Sequence, residues 1–465
     1  MKKLVWGFFC LLFLLTVIAQ ASVSAASLHI YQTAETKERT ERSDPAADIS
    51  LYATAAVLLD ADSGRVLYGK NADTPMAMAS TTKIMTCIQV LEHCSLDEVL
   101  TVSSYAAGMP QVKLNIRKGE EYTVRDLLYS LMLESHNDSA VALAEHVGRK
   151  FLTEELQAKP ASEYTAQESR QAVAAFAGLM NEKAAQLGCE NTWFITPNGL
   201  DATEEITLSD GQMIQKEHCT TAAELAKIMA YCIGQSPQSE SFLAITRTSD
   251  YSFYANGRSF SCNNHNAFLG MMDGALSGKT GFTNKAGYCY VGALERDGRT
   301  FVVALLACGW PNNKAYKWSD TRKLMQYGID NFFYRSFLEE GVAFDGSLLG
   351  SIPVSDGQTR LLGETAYTGV EILRGEGAGD GRSGAPKGEE AEPFKILLRS
   401  DEQIQVKCTV EDRLSAPVAR GTQVGTVEYS VNGTVYYREI IVTTDTVEKI
   451  DLRWCMLQIF DRFLL

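Results

Sequence analysis

Two stretches of strand-type sequence far apart in the chain set the strongest limit on its fold. "TAAVLLDADSGRVLYGK" (residues 54–70) and "GYCYVGALERDGRTFVVALLACG" (residues 287–309) each read as a β-hairpin, turning at Asp62-Ser63-Gly64 and at Arg296-Asp297-Gly298. The chain between them reads as helical in "PMAMASTTKIMTCIQVLEH" (residues 75–93), "TVRDLLYSLMLE" (residues 123–134) and "QAVAAFAGLMNEKAAQLG" (residues 171–188). A helix over about residues 314–337 closes the unit. Strands from both ends bracketing a helical middle call for an α+β unit over residues 51–340: one antiparallel sheet flanked by helices, with a helical lobe inserted.

From residue 341 the pattern changes to short β-type runs, "EPFKILLR", "EQIQVKCTV" and "TVEYSVNGTVYYREIIV", with Asn432-Gly433 as a strong turn signal. These runs predict a small all-β domain over residues 341–446. The Gly-rich charged stretch at residues 374–392 interrupts it and reads as a flexible insert. In the last segment, residues 447–465, Leu452, Met456, Ile459, Phe460 and Phe463 share one helical face, opposite Asp451, Gln458 and Arg462. That run is too short and too charged to span a bilayer, and it suits a helix lying in a membrane surface.

Lys2 and Lys3 precede an apolar run and then "QASVSAAS", the layout of a signal peptide over residues 1–26. Export to the extracytoplasmic face follows, with a polar, disordered leader expected over residues 27–50. A net charge of −14 offers nothing to a phosphate backbone, so no nucleic-acid partner is expected. Of 11 cysteines only Cys10 falls in the apolar leader, and no C-x-x-C pair occurs. The six histidines show no metal-ligand spacing and no nucleotide-binding glycine loop appears, so no metal or cofactor is expected.

Three short motifs remain. Ser80 and Lys83 stand three apart and so one helical turn from each other. Ser135-His136-Asn137 falls at a break between helical runs, and Lys279-Thr280-Gly281 enters an apolar strand, with Phe282 and Thr283 following. Taken singly, these are a helix cap, a second cap and a turn. In this order, in an exported protein, S-x-x-K, S-x-N and K-T-G form a joint signal.

The chain therefore resembles the penicillin-recognising serine peptidases, and within them the low-molecular-mass D-alanyl-D-alanine carboxypeptidases. "ASTTKIMT", "SHN", "TPNGLD" and "SGKTGFTNKAGYC" carry the resemblance, together with the leader, β domain and amphipathic tail. It departs from that pattern at Ala77-Met78-Ala79, in the extended "ATEEITLSDGQMIQKEH" after Asp201, and at Lys317, where relatives often carry arginine.

The resemblance implies a β-lactamase/DD-peptidase-like fold and removal of the terminal D-alanine from peptidoglycan stem peptides ending in D-Ala-D-Ala, with β-lactams as covalent inhibitors. Ser80 is the implied nucleophile and Lys83 its base, kept neutral by burial and by a second cation. Ser135 is the implied proton relay, and Asn137 holds the substrate peptide. Lys279 stays charged and, with Thr280 and Thr283, holds the terminal carboxylate. Gly281 admits substrate along the strand edge, and the backbone N–H groups of Ser80 and Phe282 form the oxyanion hole.

Three other readings compete. His136 suggests a Ser-His-Asp triad, but no G-x-S-x-G elbow is present. A β-lactamase would need a water-activating glutamate between the second and third motifs, where Glu154, Glu155 and Glu224 lie. A wall-binding scaffold on a dead peptidase fold would not require all three motifs intact.

Overall fold

Both hairpins form where the sequence places them. The computed structural model describes residues 27–33, 49–207, 211–337, 342–373 and 395–463. The chain divides into two units: Glu41–Tyr334 with Ile396–Ser400, and Met1–Thr40 with Arg335–Lys395 and Asp401–Leu465.

In the larger unit, β2 (Ala55–Asp60) and β3 (Val66–Lys70) form the first hairpin. β6 (Ala275–Thr283), β7 (Gly287–Arg296) and β8 (Arg299–Leu306) form a meander. They join in one antiparallel sheet in the order β6-β7-β8-β2-β3, with Ala56 opposite Leu305 and Val57 opposite Ala304. All six residues of β2 are buried, which explains its nearly continuous apolar run: both faces of the sheet are covered. Ala55, Val57 and Leu59 point into the core that includes Leu225 and Met229 of α4 (Ala222–Ala230). Ala56 and Leu58 point the other way, among Leu324, Met325 and Tyr327 of α5 (Tyr316–Asn331).

The inserted lobe holds α1 (Lys83–His93), α2 (Asn137–Gly148) and α3 (Ala166–Gln186). α1 is preceded by a separate 3-10 turn, Ala79–Thr82. α3 opens on a capping box between Thr165 and Glu168. The extended segment after Asp201 forms a hairpin of β4 (Thr203–Thr207) and β5 (Met213–Glu217). α5 is shorter than expected: Phe332 is extended and a strand follows over Phe333–Ser336, as suits a run of aromatic residues.

In the smaller unit, β1 (Ser27–Thr33), β9 (Val370–Leu373), β10 (Gln405–Glu411), β11 (Gln423–Val431) and β12 (Thr434–Thr443) form an antiparallel sheet ordered β1-β10-β11-β12-β9. The expected disordered leader is thus corrected at its start, where β1 pairs with β10 from Ser27–Glu411 to Thr33–Gln405. Residues 34–48, the signal peptide and the 374–392 insert lie outside the described residues. Asn432 and Gly433 both have positive φ, 51° and 81°, and make the tight β11–β12 turn. The terminal helix α6 (Leu452–Phe463) exposes Leu452, Met456, Leu457, Ile459 and Phe460.

Candidate active site

Ser80 sits in the 3-10 turn before α1. The turn is tied by its own side chains, Thr81 Oγ1 donating to Met78 O at 2.6 Å and Thr82 Oγ1 to Ala79 O at 2.9 Å. α1 is buried from Lys83 to Leu91, so its packing fixes the direction in which the Lys83 side chain leaves the helix.

Ser135 occupies a left-handed position, φ 65°, between the π-turn Ser130–Glu134 and α2. That backbone conformation is unusual for a non-glycine residue. The start of α2 is pinned by the adjacent loop. Asn137 N donates to Val112 O at 2.7 Å, and the Asp138 carboxylate accepts from Leu114, Asn115 and Ile116 at 2.9, 2.8 and 3.2 Å.

Around Lys83 these elements meet. Its Nζ lies 3.0 Å from Ser80 Oγ, 3.3 Å from Ser135 Oγ, 3.0 Å from Ser135 O and 2.8 Å from Asn137 Oδ1. Across from it, Lys279 Nζ lies 3.0 Å from Ser135 Oγ and donates to Thr280 O at 3.0 Å. Ser135 Oγ therefore bridges two lysine nitrogens. Ser80, Ser135, Asn137, Thr280, Gly281, Phe282 and Thr283 line a cleft of about 500 Å³. Lys83 and Lys279 lie beneath it, 0% and 3% exposed.

Two glycines let backbones press together here. A Cβ on Gly281 would lie 2.8 Å from Ser80 N, which brings the edge strand β6 against the serine's own amide. Gly199, φ 82°, packs so closely that a Cβ would stand 2.0 Å from Ala79 O. The same loop receives Ser80 Oγ on Asn198 O at 3.3 Å and Thr86 Oγ1 on Pro197 O at 2.6 Å.

Burial holds Lys83 well below the ordinary lysine range, with the Lys279 charge pushing the same way and Asp138 opposing. Burial also pulls Lys279 down, to about 7.

Several contributors escaped the sequence reading. Asp138, directly after the S-x-N motif, clamps the cleft loop. His218 is buried, 4% exposed, and that burial drives its pKa down to about 4. Its Nδ1 accepts from Ile195 N at 3.0 Å, while Nε2 stands 2.9 Å from Thr82 Oγ1. The imidazole thus couples the loop that carries Gly199 to the turn that carries Ser80. Lys317, which the sequence reading did single out, lines the cleft with its Nζ over the rings of Tyr288 and Trp318, at 4.9 and 4.7 Å.

The competing readings lose ground on geometry. His136 Nδ1 pairs with Ser130 Oγ at 2.8 Å, so the imidazole is committed to Ser130. Glu224 spends its carboxylate on Asn191 N at 2.9 Å and Thr192 Oγ1 at 2.6 Å. Glu154 and Glu155 are exposed in the short helix Glu154–Ala158. The one carboxylate among the described lining residues is Glu134, held by His265 Nε2 at 2.7 Å and Asn263 N at 2.8 Å.

Comparison with known proteins gives a consistent result. Residues 38–151 and 165–307 match the family profile described as D-alanyl-D-alanine carboxypeptidase (Peptidase_S11), and residues 391–449 match the C-terminal domain of penicillin-binding protein 5. The D-alanyl-D-alanine carboxypeptidase DacF of Bacillus subtilis is 25% identical over 409 residues, 87% of this chain and 88% of its own. DacC of Escherichia coli is 26% identical over 440 residues, 92% of each chain. The crystal structure of DacD from Francisella tularensis, at 20% identity, shares the fold with a TM-score of 0.59 over 89% of this chain and 98% of its own.

Proposed function

The chain belongs to the family of serine-type D-alanyl-D-alanine carboxypeptidases, and we propose that it removes the terminal D-alanine from peptidoglycan stem pentapeptides through an acyl-enzyme on Ser80. The observation that carries this reading is the contact of one buried, depressed lysine with both serines, Lys83 Nζ lying 3.0 Å from Ser80 Oγ and 3.3 Å from Ser135 Oγ.

A neutral amine donates two hydrogens and accepts one. Asn137 Oδ1 and Ser135 O take the two, which leaves the lone pair for the Ser80 hydroxyl proton. Ser80 Oγ attacks the carbonyl of the penultimate D-alanine as Lys83 takes that proton. The N–H groups of Ser80 and Phe282 receive the oxyanion, an effect of about 3 kcal/mol per donor. The proton passes through Ser135 to the departing amine, and the C–N bond breaks. Water then hydrolyses the ester and restores Ser80.

Lys279, Thr280 and Thr283 hold the substrate's free carboxylate, which makes the enzyme an exopeptidase. The carboxylate raises the Lys279 pKa, so the charge is completed by the substrate itself. Thr283 Oγ1 accepts Ala286 N at 3.0 Å, which leaves its own proton to donate. Asn137 and the glycine edge at Gly281 receive the peptide as an added strand. A β-lactam, a strained amide bearing a carboxylate, enters the same path and remains as the ester.

We place the enzyme on the extracytoplasmic side of the membrane. Among the described residues no helix is long and apolar enough to cross a bilayer. The apolar side chains that α6 exposes fit it to lie in the membrane surface.

The deciding experiment pairs intact mass spectrometry after benzylpenicillin with D-alanine release from a pentapeptide. A single adduct that maps to Ser80 and clears slowly, with release abolished in Ser80→Ala, is expected. Absence of an adduct overturns the acyl-enzyme, and rapid turnover of the penicillin makes the protein a β-lactamase.

A further inference from the structure

The two helices that carry the catalytic network at one end come together again at the other. Cys94 caps the C-terminus of α1, and His146 lies in the last turn of α2. Glu98 follows the first of these in the connection to the strand Val99–Thr101. The Cys94 sulfur, a Glu98 carboxylate oxygen and a His146 ring nitrogen all lie within 4.8 Å of one another, and no other such trio occurs among the described residues. We propose that these three side chains form a site for one divalent cation of the zinc type, stapling the far ends of α1 and α2.

The arrangement is already built around a positive charge. Lys150 Nζ stands 2.9 Å from Glu98 Oε2, 3.2 Å from Cys94 Sγ and 3.0 Å from His93 O. His146 Nε2 is 2.9 Å from the same Glu98 oxygen. Glu98 is further fixed by Ser95 N, which donates to Oε1 at 2.8 Å, so the carboxylate is oriented before any metal arrives. The Lys150 side chain is 37% exposed and can swing into solvent, whereas His146, 13% exposed, is held inward.

Cysteine thiolate, imidazole and carboxylate together select a borderline-soft ion over calcium or magnesium, which prefer oxygen alone. Three protein ligands leave a fourth position for water. Binding balances as an exchange: Cys94 is a free thiol and gives up its S–H proton, the neutral His146 ring moves its proton from Nε2 to Nδ1 so that Nε2 can ligate, the Lys150 ammonium leaves, and the cation takes the space between them. Since the site joins helix ends remote from the cleft, its role is to brace the lobe that aligns Lys83 with Asn137. No sequence spacing announces it, because His146 comes from a different helix.

The test is titration of the full-length protein with cobalt(II), followed by its thiolate-to-metal charge-transfer absorption and by displacement with zinc. One equivalent is expected to bind, with release of a proton and a rise in thermal midpoint. Cys94→Ser and His146→Gln should abolish the absorption while keeping the circular dichroism spectrum and penicillin acylation of the parent. Lys150→Met, which removes the competing cation, should bind about tenfold more tightly. A parent protein without the charge-transfer band, a band that survives Cys94→Ser, or a Lys150→Met variant that binds no better than the parent would each overturn the proposal.

Discussion

Gly199 and Ala79 touch backbone to backbone: a single added carbon on the glycine would stand 2.0 Å from the alanine carbonyl oxygen. Gly199→Ala should therefore push its loop off the turn that carries Ser80, in addition to straining a left-handed residue. The expected result is a loss of about 1–3 kcal/mol of stability and a larger fall in acylation than in folding. Thermal denaturation and the rate of fluorescent-penicillin labelling measure the two separately.

Lys83→Ala should lower the acylation rate by about 10²–10⁴-fold, the usual worth of a positioned base. Lys83→Arg should be no better, because a guanidinium stays protonated and has no lone pair to offer. Stopped-flow acylation with a chromogenic cephalosporin checks both, and retention of parental rate in either would exclude Lys83 as the base.

The second-order acylation constant should trace a bell with pH. Lys83 must lose its proton to act, so the rate rises with pH on the acid side, at values well below the ordinary lysine range. Lys279 must keep its proton to hold a carboxylate, so the rate falls as pH climbs through about 7. The two lysines titrate as a coupled pair, and the limbs belong to the pair. Lys279→Arg should carry the falling limb to higher pH, which a rate profile from pH 5 to 10 resolves.

His218 should make the larger unit acid-sensitive. Its folded pKa, about 4, lies below the ordinary histidine value of 6.5, so below that value the unfolded chain binds a proton that the fold refuses. Stability is whole above pH 6.5 and is lost as pH falls toward 4, by on the order of 3 kcal/mol. His218→Gln should flatten that dependence in urea denaturation series across this range.

Vesicle co-sedimentation tests the terminal helix. Ile459 and Phe460 are both 51% exposed, and replacing either with glutamate should abolish binding to anionic vesicles without changing penicillin acylation. Unaltered co-sedimentation of the double variant would remove α6 as the membrane element.

The sheet was legible because a strand buried on both faces has to be apolar almost throughout, as β2 is. The contact between Ser80 and Lys83 was legible because the two residues are local to one turn. What escaped was non-local. His218 meets Thr82 across 136 positions, and no periodicity encodes that contact. β1 is a strand because β10 offers it an edge, while its own surroundings read as a polar leader. The early end of α5 turned on one extended residue, Phe332, which helical spacing cannot register.

The residues Ile396–Ser400 belong to the larger unit although they lie within the strand-rich sequence, between β9 and β10. Leu397 is fully buried there, and its carbonyl accepts from the Arg65 guanidinium beside the first hairpin. A chain ended at residue 340 would thus surrender a plug of the peptidase core and, with it, the Leu397 carbonyl on which the Arg65 guanidinium rests. The two parts cannot be parted by one cut, and any shortened enzyme must supply that five-residue piece again.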